Sequence, residues 1–235
     1  ENPSWNVGLE YQAKQDLLLY ITQRGSWRSG GFNTNSQLFD GNIDVGGAEF
    51  DPETTKDIEI GLKYSGLMAD VPVQISIAAF NQWVDDIQRV VYVSLPLFGP
   101  TALTANIPQA EISGFEIAGQ IKPVQWLSLG GNVVYNDARF TKSSVTLFGV
   151  ETDFGPYPDQ PKWAGSAFAM VTVPLEEEMG ELVFRGDLYA QSKFYYSSLN
   201  DTINPQSDLP GYSLVNFRLD WNEIAGSSVS ASAFV

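Results

Sequence analysis

Period-two alternation of apolar and polar residues is the feature that most limits what this chain can fold into. Such alternation is typical of a β-strand with one apolar and one polar face. The clearest segments are 5–12, 57–64, 73–79, 115–121, 127–136 and 215–221. Weaker segments at 16–27, 160–173, 180–196 and 228–235 bring the prediction to about ten strands. Helical periodicity is almost nowhere to be found, so the chain is predicted to be all-β.

The lengths of the strands and of their connections favour a barrel. Several segments exceed the ~5–6 residues commonest in globular sheets, and 71–93 has room for one strand of about twenty. Short connections are predicted at 13–16, 66–71, 122–126, 174–180 and 222–227, and long ones at 28–53, 94–107, 141–160 and 197–210. This alternation is expected of an antiparallel transmembrane β-barrel, whose turns and loops lie on opposite sides of the membrane. The competing interpretation is an amphipathic antiparallel sheet with one solvated face.

The polar positions of the predicted strands carry charges at mid-strand, where a hydrophilic bore would accept them. They are Glu59, Lys63, Glu116, Gln120, Arg185, Asp187, Arg218 and Asp220. Large aromatics near strand ends fit the aromatic rows of a membrane interface. These are Trp5, Tyr11, Tyr64, Trp126, Trp163 and Trp221.

Composition excludes several classes of function. The 235 residues include no cysteine and no histidine, which removes Ser-His and Cys-His catalysis and the usual zinc ligands. A formal net charge of -15 leaves no basic stripe for nucleic acid. No run approaches the ~18 apolar residues of a transmembrane helix. We therefore expect neither an enzyme nor a cofactor site, since an enzyme would need an unusual carboxylate or Ser-Lys centre and no convergent set is visible.

Five motifs in consistent order resemble the barrel domain of TonB-dependent outer-membrane receptors. The first two are RGSWRSGGFN (24–33), where a strand runs into a long loop, and FDPETTKDIEIGLK (50–63), where the next strand begins. The others are AAFNQWVDDIQ (78–88), ANIPQAEISGFEIAG (105–119) and LPGYSLVNFRLDW (209–221). Two positions depart from the family pattern: Trp83-Val84 stand where Tyr is usual, and Ile107-Pro108 replace Ala-Gly.

The resemblance implies a place within a larger assembly. Barrels of this family have 22 strands with a plug domain ahead of them, so residues 1–235 would form about ten consecutive strands in the C-terminal half. The plug, the TonB box and the final strand would be absent from this piece. The implied location is the outer membrane of a Gram-negative bacterium, in contact with lipid and lipopolysaccharide.

The function implied by the resemblance is energised uptake of a scarce small molecule. TonB, with ExbB and ExbD, would drive it through the plug. The family takes up ferric siderophores, haem, cobalamin and oligosaccharides, and nothing in the sequence chooses among them. The alternative is a passive porin or a small self-contained outer-membrane barrel.

Candidate site residues fall into three groups. Ligand contact is assigned to the strand end and the loop after it, at Arg24, Trp27, Arg28, Phe32 and Asn33; the two arginines could instead pair with lipopolysaccharide phosphate or a neighbouring carboxylate. Contact with the plug or a passing ligand is assigned to Glu59, Lys63, Glu116, Gln120 and Arg218. Asp40, Asn42 and Asp44 are spaced like the start of a calcium loop, although Val45 stands where such a loop has glycine.

Two further expectations concern the loops. Gly30 and Gly31 are predicted to supply permissive backbone where the strand leaves the rim. Phe154, Tyr157, Tyr195 and Tyr196, with Phe98 and Phe148, either line a binding vestibule or stabilise loop packing; the sequence does not separate the two.

Overall fold

Ten strands of the computed structural model form one antiparallel sheet whose order follows the chain. The structure describes residues 3–33, 49–95, 99–142, 144–147, 150–176, 179–197 and 207–235. The ten strands are β1 (Trp5–Lys14), β2 (Leu17–Arg28), β5 (Glu53–Met68), β6 (Val71–Leu95), β7 (Gly99–Val124), β8 (Leu127–Lys142), β11 (Trp163–Pro174), β12 (Glu181–Gln191), β15 (Tyr212–Asn222) and β16 (Ala231–Phe234).

Within the described ranges, three two-stranded sheets accompany the main sheet, each in a long connection. They pair β3 (Gly31–Phe32) with β4 (Glu49–Phe50), β9 (Ser144–Leu147) with β10 (Val150–Asp153), and β13 (Phe194–Tyr195) with β14 (Asp208–Leu209). Among the described residues, a 3-10 turn occupies Ile224–Gly226. None of the described residues belongs to a helix long and apolar enough to cross a membrane.

The predicted strand content is confirmed, with one correction. The main sheet has ten strands, and β6 is a single strand of 25 residues. The predicted long loop at 94–107 is wrong, because β7 already begins at Gly99. Pro100 and Pro108 both lie within β7. Proline is tolerated in a strand where its position needs no ladder hydrogen bond, and the otherwise continuous register of β6 and β7 has no pair at Pro108.

Short and long connections between strands lie at opposite ends of the sheet. At the turn end, strands are joined by tight turns such as Gln15–Asp16 and Ala69–Asp70. Ala69 and Asp70 have φ of 50° and 66°, as a two-residue hairpin turn matched to strand twist requires. At the opposite, long-connection end lie the segments after β2, β8 and β12. Within the described ranges, β1 and β16 each pair with one neighbour in this sheet.

The strands β6 and β7 extend beyond their neighbours at the long-connection end. Their ladders with β5 and β8 stop at Asp85 and Gln109, but the two strands stay paired to Leu95 and Gly99. We call residues 86–95 and 99–108 the outer hairpin; ten residues of strand span about 33 Å. The buried apolar cluster of the described chain lies at this hairpin and its base, not along the main sheet.

Candidate functional site

Register pairs divide the ten strands into a polar face and an apolar face, because directly paired residues share a face. The pairs run from Glu10 through Tyr20 and Gly61 to Glu116, and onward to Gln191. Other members of this polar face are Thr22, Arg24, Asp57, Glu59, Lys63, Gln74, Ser76, Gln82, Gln120, Asn132, Ser166, Arg185, Asp187, Asn216, Arg218 and Asp220. The structure thus brings Glu59, Lys63, Glu116, Gln120 and Arg218 onto one face; their contact with a plug or ligand stays a prediction.

The opposite face is apolar from β1 to β15. Its members include Val7, Leu9, Leu19, Ile21, Ile60, Leu62, Ile77, Phe115, Ile117, Val133, Val171, Phe184, Leu188, Val215, Phe217 and Leu219. Leu9 and Ile60 are 70 % and 60 % exposed. A face with this much exposed apolar surface fits a non-aqueous surrounding rather than bulk water.

Aromatic rows border the apolar face at both ends and reveal how the strands are tilted. Paired residues, followed from strand to strand, lead from Trp5 on β1 to Arg139 on β8. The aromatic residue of this row on β8 is instead Tyr135, four positions nearer the turn end. In the same way, paired residues lead from Tyr11 on β1 to Ser213 on β15. The aromatic residue of this second row on β15 is Trp221, eight positions nearer the turn end. Both rows shift by about one residue per strand. A shift of ~3.3 Å for each ~4.8 Å between strands is a tilt of roughly 35°, which barrels have.

An ionic network crosses the polar face of β2 and β5. Arg24 Nε donates to Asp57 Oδ1 at 2.8 Å, and Arg24 Nη2 donates to Glu59 Oε2 at 2.8 Å. Tyr20 donates its hydroxyl to Glu59 Oε1 at 2.8 Å, and Lys63 lies 5.4 Å from the centre of the Tyr20 ring. Arg24 is therefore paired with two carboxylates of the neighbouring strand. Pairing with a carboxylate was one of the alternatives to ligand contact that the sequence left open.

A second network joins β12 and β15. Arg185 and Arg218 are direct cross-strand partners, and like charges so placed repel each other. Each is compensated by the aspartate two positions on: Arg185 reaches Asp187 at 2.7 Å, and Arg218 reaches Asp220 at 2.8 Å. Phe168 lies under the Arg185 guanidinium, 4.5 Å from the ring centre. The arrangement leaves two guanidiniums side by side on the polar face.

The segment after β8 packs against the base of the outer hairpin. Phe154 is 3 % exposed and belongs to the buried cluster with Val84, Ile87 and Ala110. Because Val84 and Ala110 are paired on the polar-face side, this segment covers the outer end of the polar face. Phe154 therefore serves loop packing, one of the two roles foreseen for the loop aromatics.

Tyr157 and Arg89 form a pair at this same place. Arg89 Nη2 donates to the Tyr157 hydroxyl at 3.1 Å, and its guanidinium lies 5.5 Å from the ring centre. Tyr157 also packs against Phe140, with ring centres 5.2 Å apart and ring planes tilted by 41°. Sequence reasoning did not single out Arg89; the available signal was an isolated cation in an otherwise apolar stretch of a strand.

The segments around the first long connection are tied to the outer hairpin by side-chain amides. Gln88 is 6 % exposed, and its Nε2 donates to the carbonyls of Ser29 and Asp51 at 2.8 and 3.0 Å. Asn106 exchanges two hydrogen bonds with the Asp51 backbone. Asn33 does the same with Thr104, at 2.8 Å in both directions. These bonds fix the described part of the connection against the hairpin.

Asp86 lies in the outer hairpin beside these ties. Its φ of 55° is left-handed, which interrupts the regular alternation of β6. Desolvation raises the pKa of its carboxyl, and the carboxylates of Asp51 and Asp85 raise it further, while Lys142 lowers it. Burial and the two neighbouring carboxylates therefore disfavour the charged form of Asp86.

The five predicted ligand residues occupy different environments. Arg24 is bound in the ionic network, and Asn33 is hydrogen bonded to Thr104. Trp27 pairs with Thr54 on the apolar-face side, whereas Arg28 pairs with Glu53 on the polar-face side. Phe32 is 72 % exposed. Their role in ligand binding stays a prediction, and Asp40, Asn42 and Asp44 lie outside the described residues.

Gly30 and Gly31 are required for a different reason from the one expected. Neither has a positive φ. A Cβ on Gly30 would lie 2.3 Å from the Phe50 carbonyl oxygen, and one on Gly31 would lie 2.7 Å from the Phe50 ring. Close approach of the β3–β4 sheet, not backbone freedom, explains the glycine pair.

Comparison with known proteins identifies a family model and several solved structures that this chain resembles. The sequence model of the family described as "TonB dependent receptor-like, beta-barrel" matches residues 1–235. The structure is similar to that of the ferric yersiniabactin uptake receptor FyuA from Yersinia pestis, with a TM-score of 0.69 and 16 % identity over 97 % of this chain and 31 % of that one.

Two further solved structures are comparable. The ferric preacinetobactin receptor BauA from Acinetobacter baumannii has a TM-score of 0.64 and 20 % identity, covering 92 % of this chain and 29 % of that one. The copper transporter OprC has a TM-score of 0.63 and 14 % identity, covering 93 % and 31 %. At such identities the likeness shows the fold, and this chain spans about a third of the length of each.

Proposed function

This chain belongs to the TonB-dependent receptor-like β-barrel family, and from that membership we propose that it forms part of the wall of an outer-membrane uptake receptor. The observation that carries the proposal is the continuous polar face across ten strands, backed by an apolar face with aromatic rows at both ends. In a barrel the apolar face contacts lipid and the polar face lines the bore. A charge on the lipid side at mid-membrane would cost about 2–4 kcal/mol, which accounts for the segregation.

The bore is occupied by a plug domain that TonB displaces with energy passed on by ExbB and ExbD. Glu59, Lys63, Glu116, Gln120 and Arg218 are the wall residues that contact this plug or the passing ligand. The networks around Arg24 and Arg185 support this assignment, because they hold cations and carboxylates in fixed positions where a polar partner can pair with them.

The ligand is recognised at the long-connection end, which faces the external medium. Arg89 and Tyr157 lie at the outer end of the polar face, where an entering molecule passes. Guanidinium and aromatic groups together suit an anionic chelate that carries aromatic rings. We therefore take a ferric siderophore as the ligand class, and we assign Arg28 and Phe32, both exposed, to ligand contact at the same end of the sheet.

Uptake by cells tests the function. A strain lacking its own iron receptors would carry the full-length gene and be offered iron-55 on catecholate, hydroxamate and mixed chelators in turn. We expect accumulation of one chelate that stops when TonB is deleted. Accumulation that persists without TonB would identify a passive pore, and no accumulation of any chelate would remove ferric siderophores as the ligand class.

A further inference from the structure

A short segment after β10 connects the base of the outer hairpin with the segment after β12. Phe154, at its start, is buried in the cluster at the base of the hairpin. At its other end, the backbone N–H of Asp159 donates to the Tyr195 carbonyl at 2.6 Å, in the sheet of β13 and β14. We call residues 154–159 the strap. Because the strap covers the outer end of the polar face, a molecule that enters along this face from outside meets it first.

Tyr157 fastens the middle of the strap to the outer hairpin. Its hydroxyl accepts a hydrogen bond from Arg89 Nη2 at 3.1 Å, and its ring packs against Phe140 of β8. Phe140 also packs against Phe154, with ring centres 5.8 Å apart. The ring contacts are apolar and non-directional. The hydrogen bond to Arg89 is different, because another polar group can take the place of the hydroxyl.

Arg89 carries a charge that no neighbouring carboxylate balances. Four other arginines of the described chain pair with a carboxylate at 2.7 to 2.9 Å, whereas Arg89 has none within ion-pair distance there. Its Nε is buried and has no hydrogen-bond partner among the described residues. A buried N–H without a partner is unfavourable, and so is a cation beside apolar side chains without an anion. Arg89 therefore has unused capacity to bind an anion.

The Nε and Nη2 groups of an arginine form one edge, which binds two oxygens of an anion together. Arg185 uses this edge on Asp187, with Nε at 2.9 Å and Nη2 at 2.7 Å from the carboxylate oxygens. In Arg89 the same edge is half used, because Nη2 holds the Tyr157 hydroxyl while Nε has no partner in the described chain. The hydroxyl thus occupies the place of one oxygen of a bound anion. An anion that takes the whole edge displaces Tyr157.

We propose that Tyr157 is a latch that an anionic ligand opens. The inference rests on the proposed function, and it names the part of the ligand that operates the site: a carboxylate or catecholate with two neighbouring anionic oxygens. This group binds Nε and Nη2 of Arg89, the Tyr157 hydroxyl leaves, and the strap moves off the outer end of the polar face. Two charge-assisted hydrogen bonds between ions are stronger than one to a neutral hydroxyl, so the ligand binds the open strap more tightly and shifts the equilibrium toward it.

Chymotrypsin cleavage after Phe154 measures opening of the strap in the full-length protein in detergent, with the cut bond identified from fragment masses. Phe154 is 3 % exposed, so cleavage there requires the strap to leave the buried cluster. The cleavage rate follows the open population when closing is faster than cleavage. Tyr157→Phe keeps the ring and loses the hydroxyl, and we expect it to be cut about tenfold faster than the wild type. Tyr189→Phe is the matched control, because its hydroxyl donates to Gln191 outside the strap; its rate should equal that of the wild type.

The iron(III) complex of 2,3-dihydroxybenzoate is the probe for the ligand, because it carries paired anionic oxygens on aromatic rings. Sodium chloride at equal ionic strength controls for screening. We expect the saturating probe to speed cleavage after Phe154 in the wild type about tenfold, whereas a ligand that only covered this end would slow it. Arg89→Gln keeps a donor for Tyr157 but lacks the charged edge, so its cleavage rate should not respond to the probe.

The proposal is overturned if Tyr157→Phe is cut at the wild-type rate, if Tyr189→Phe is cut as fast as Tyr157→Phe, or if the probe leaves the wild-type rate unchanged or lowers it. A response of equal size in Arg89→Gln would also overturn it, because the anion would then act elsewhere. Uptake of the iron-55 form of the same probe is followed in parallel in cells with and without TonB. Absent uptake with cleavage that responds to the probe argues against the proposed function and not against the latch. Uptake that needs TonB, with cleavage that does not respond, argues against the latch alone.

Discussion

Tyr20 lies directly across the sheet from Gly61, and its ring fills the space that a side chain at Gly61 would need. A Cβ at that position would come within 2.5 Å of the ring and its hydroxyl oxygen. The same relationship recurs between direct register partners on other strands. The pairs are Trp5 with Gly25, Phe80 with Gly114, Phe168 with Gly130 and Phe217 with Gly186. An aromatic ring that lies over a glycine covers the backbone there, and it projects only a short distance from the sheet.

Replacing Gly61 by alanine is expected to displace the Tyr20 ring. The ring must swing away from the new Cβ, which breaks the 2.8 Å hydrogen bond to Glu59. We expect a loss of about 1–3 kcal/mol of unfolding free energy, measured from the urea midpoint of the protein in detergent. Gly8→Ala is the control, because the nearest atom to its Cβ would be Thr22 Oγ1 at 3.3 Å. Equal midpoints for the two variants would contradict the ring-over-glycine account.

Neighbouring residues of β7 should report opposite environments. Glu116 and Ile117 belong to the polar and apolar faces, and the chain contains no cysteine that would interfere with labelling. We expect a spin label at Ile117→Cys to be relaxed by oxygen, which concentrates in lipid. A label at Glu116→Cys should be shielded from oxygen. Oxygen accessibility of the two labels is measured by power saturation in liposomes. Greater accessibility at position 116 than at position 117 would place the apolar face inside and contradict the transport proposal.

Replacing Arg24 distinguishes two roles of this residue: ion pairing within the sheet and contact with the ligand. Arg24→Gln leaves Asp57 and Glu59 as an uncompensated pair of carboxylates, and since the site is partly exposed we expect a loss of about 1 kcal/mol. Adding Asp57→Asn restores the charge balance and should recover the urea midpoint. If uptake of the iron-55 chelate recovers with it, Arg24 acts in the wall. Uptake that stays low in the stable double variant would indicate ligand contact.

Gln88 is expected to hold the first long connection in place. Gln88→Leu removes both donors to the Ser29 and Asp51 carbonyls, and losing bonds to buried groups costs about 1–3 kcal/mol locally. We expect faster proteolytic cleavage within 28–53 and an unchanged urea midpoint for the sheet. Gln23→Leu, an exposed position on β2, is the control. Cleavage at the wild-type rate would mean that Asn33 and Asn106 suffice.

Arg89 is expected to contribute to ligand affinity. Arg89→Gln keeps a donor for Tyr157 but removes the charge, and a charge-assisted hydrogen bond is about twice as strong as a neutral one. We expect the chelate concentration for half-maximal uptake to rise about tenfold with the maximal rate preserved. Lys193→Gln removes a more exposed cation elsewhere at this end and should leave both values unchanged. A fall in maximal rate alone would assign Arg89 to transport rather than binding.

Prediction from sequence succeeded for the face of the sheet on which a side chain lies, because successive residues of a strand point to opposite faces. Glu59 and Arg218 are on different strands, yet alternation alone assigned both to the polar set, and the register places them on one face. It failed at 94–107, because β7 begins at Gly99, within the segment predicted as a loop. It also gave the wrong reason for Gly30, because the constraint comes from Phe50, which is distant in sequence.

The sequence by itself determined the all-β class, the number of strands in the main sheet and the division into two faces. These follow from a local period of two residues, which each strand carries independently of its neighbours. Only the tertiary structure decided which charges meet, as with Arg24 and Glu59 or Arg185 and Arg218. It also decided that the segment after β8 packs on the outer hairpin. Contacts between strands depend on register and on long-range packing, and no local pattern encodes either.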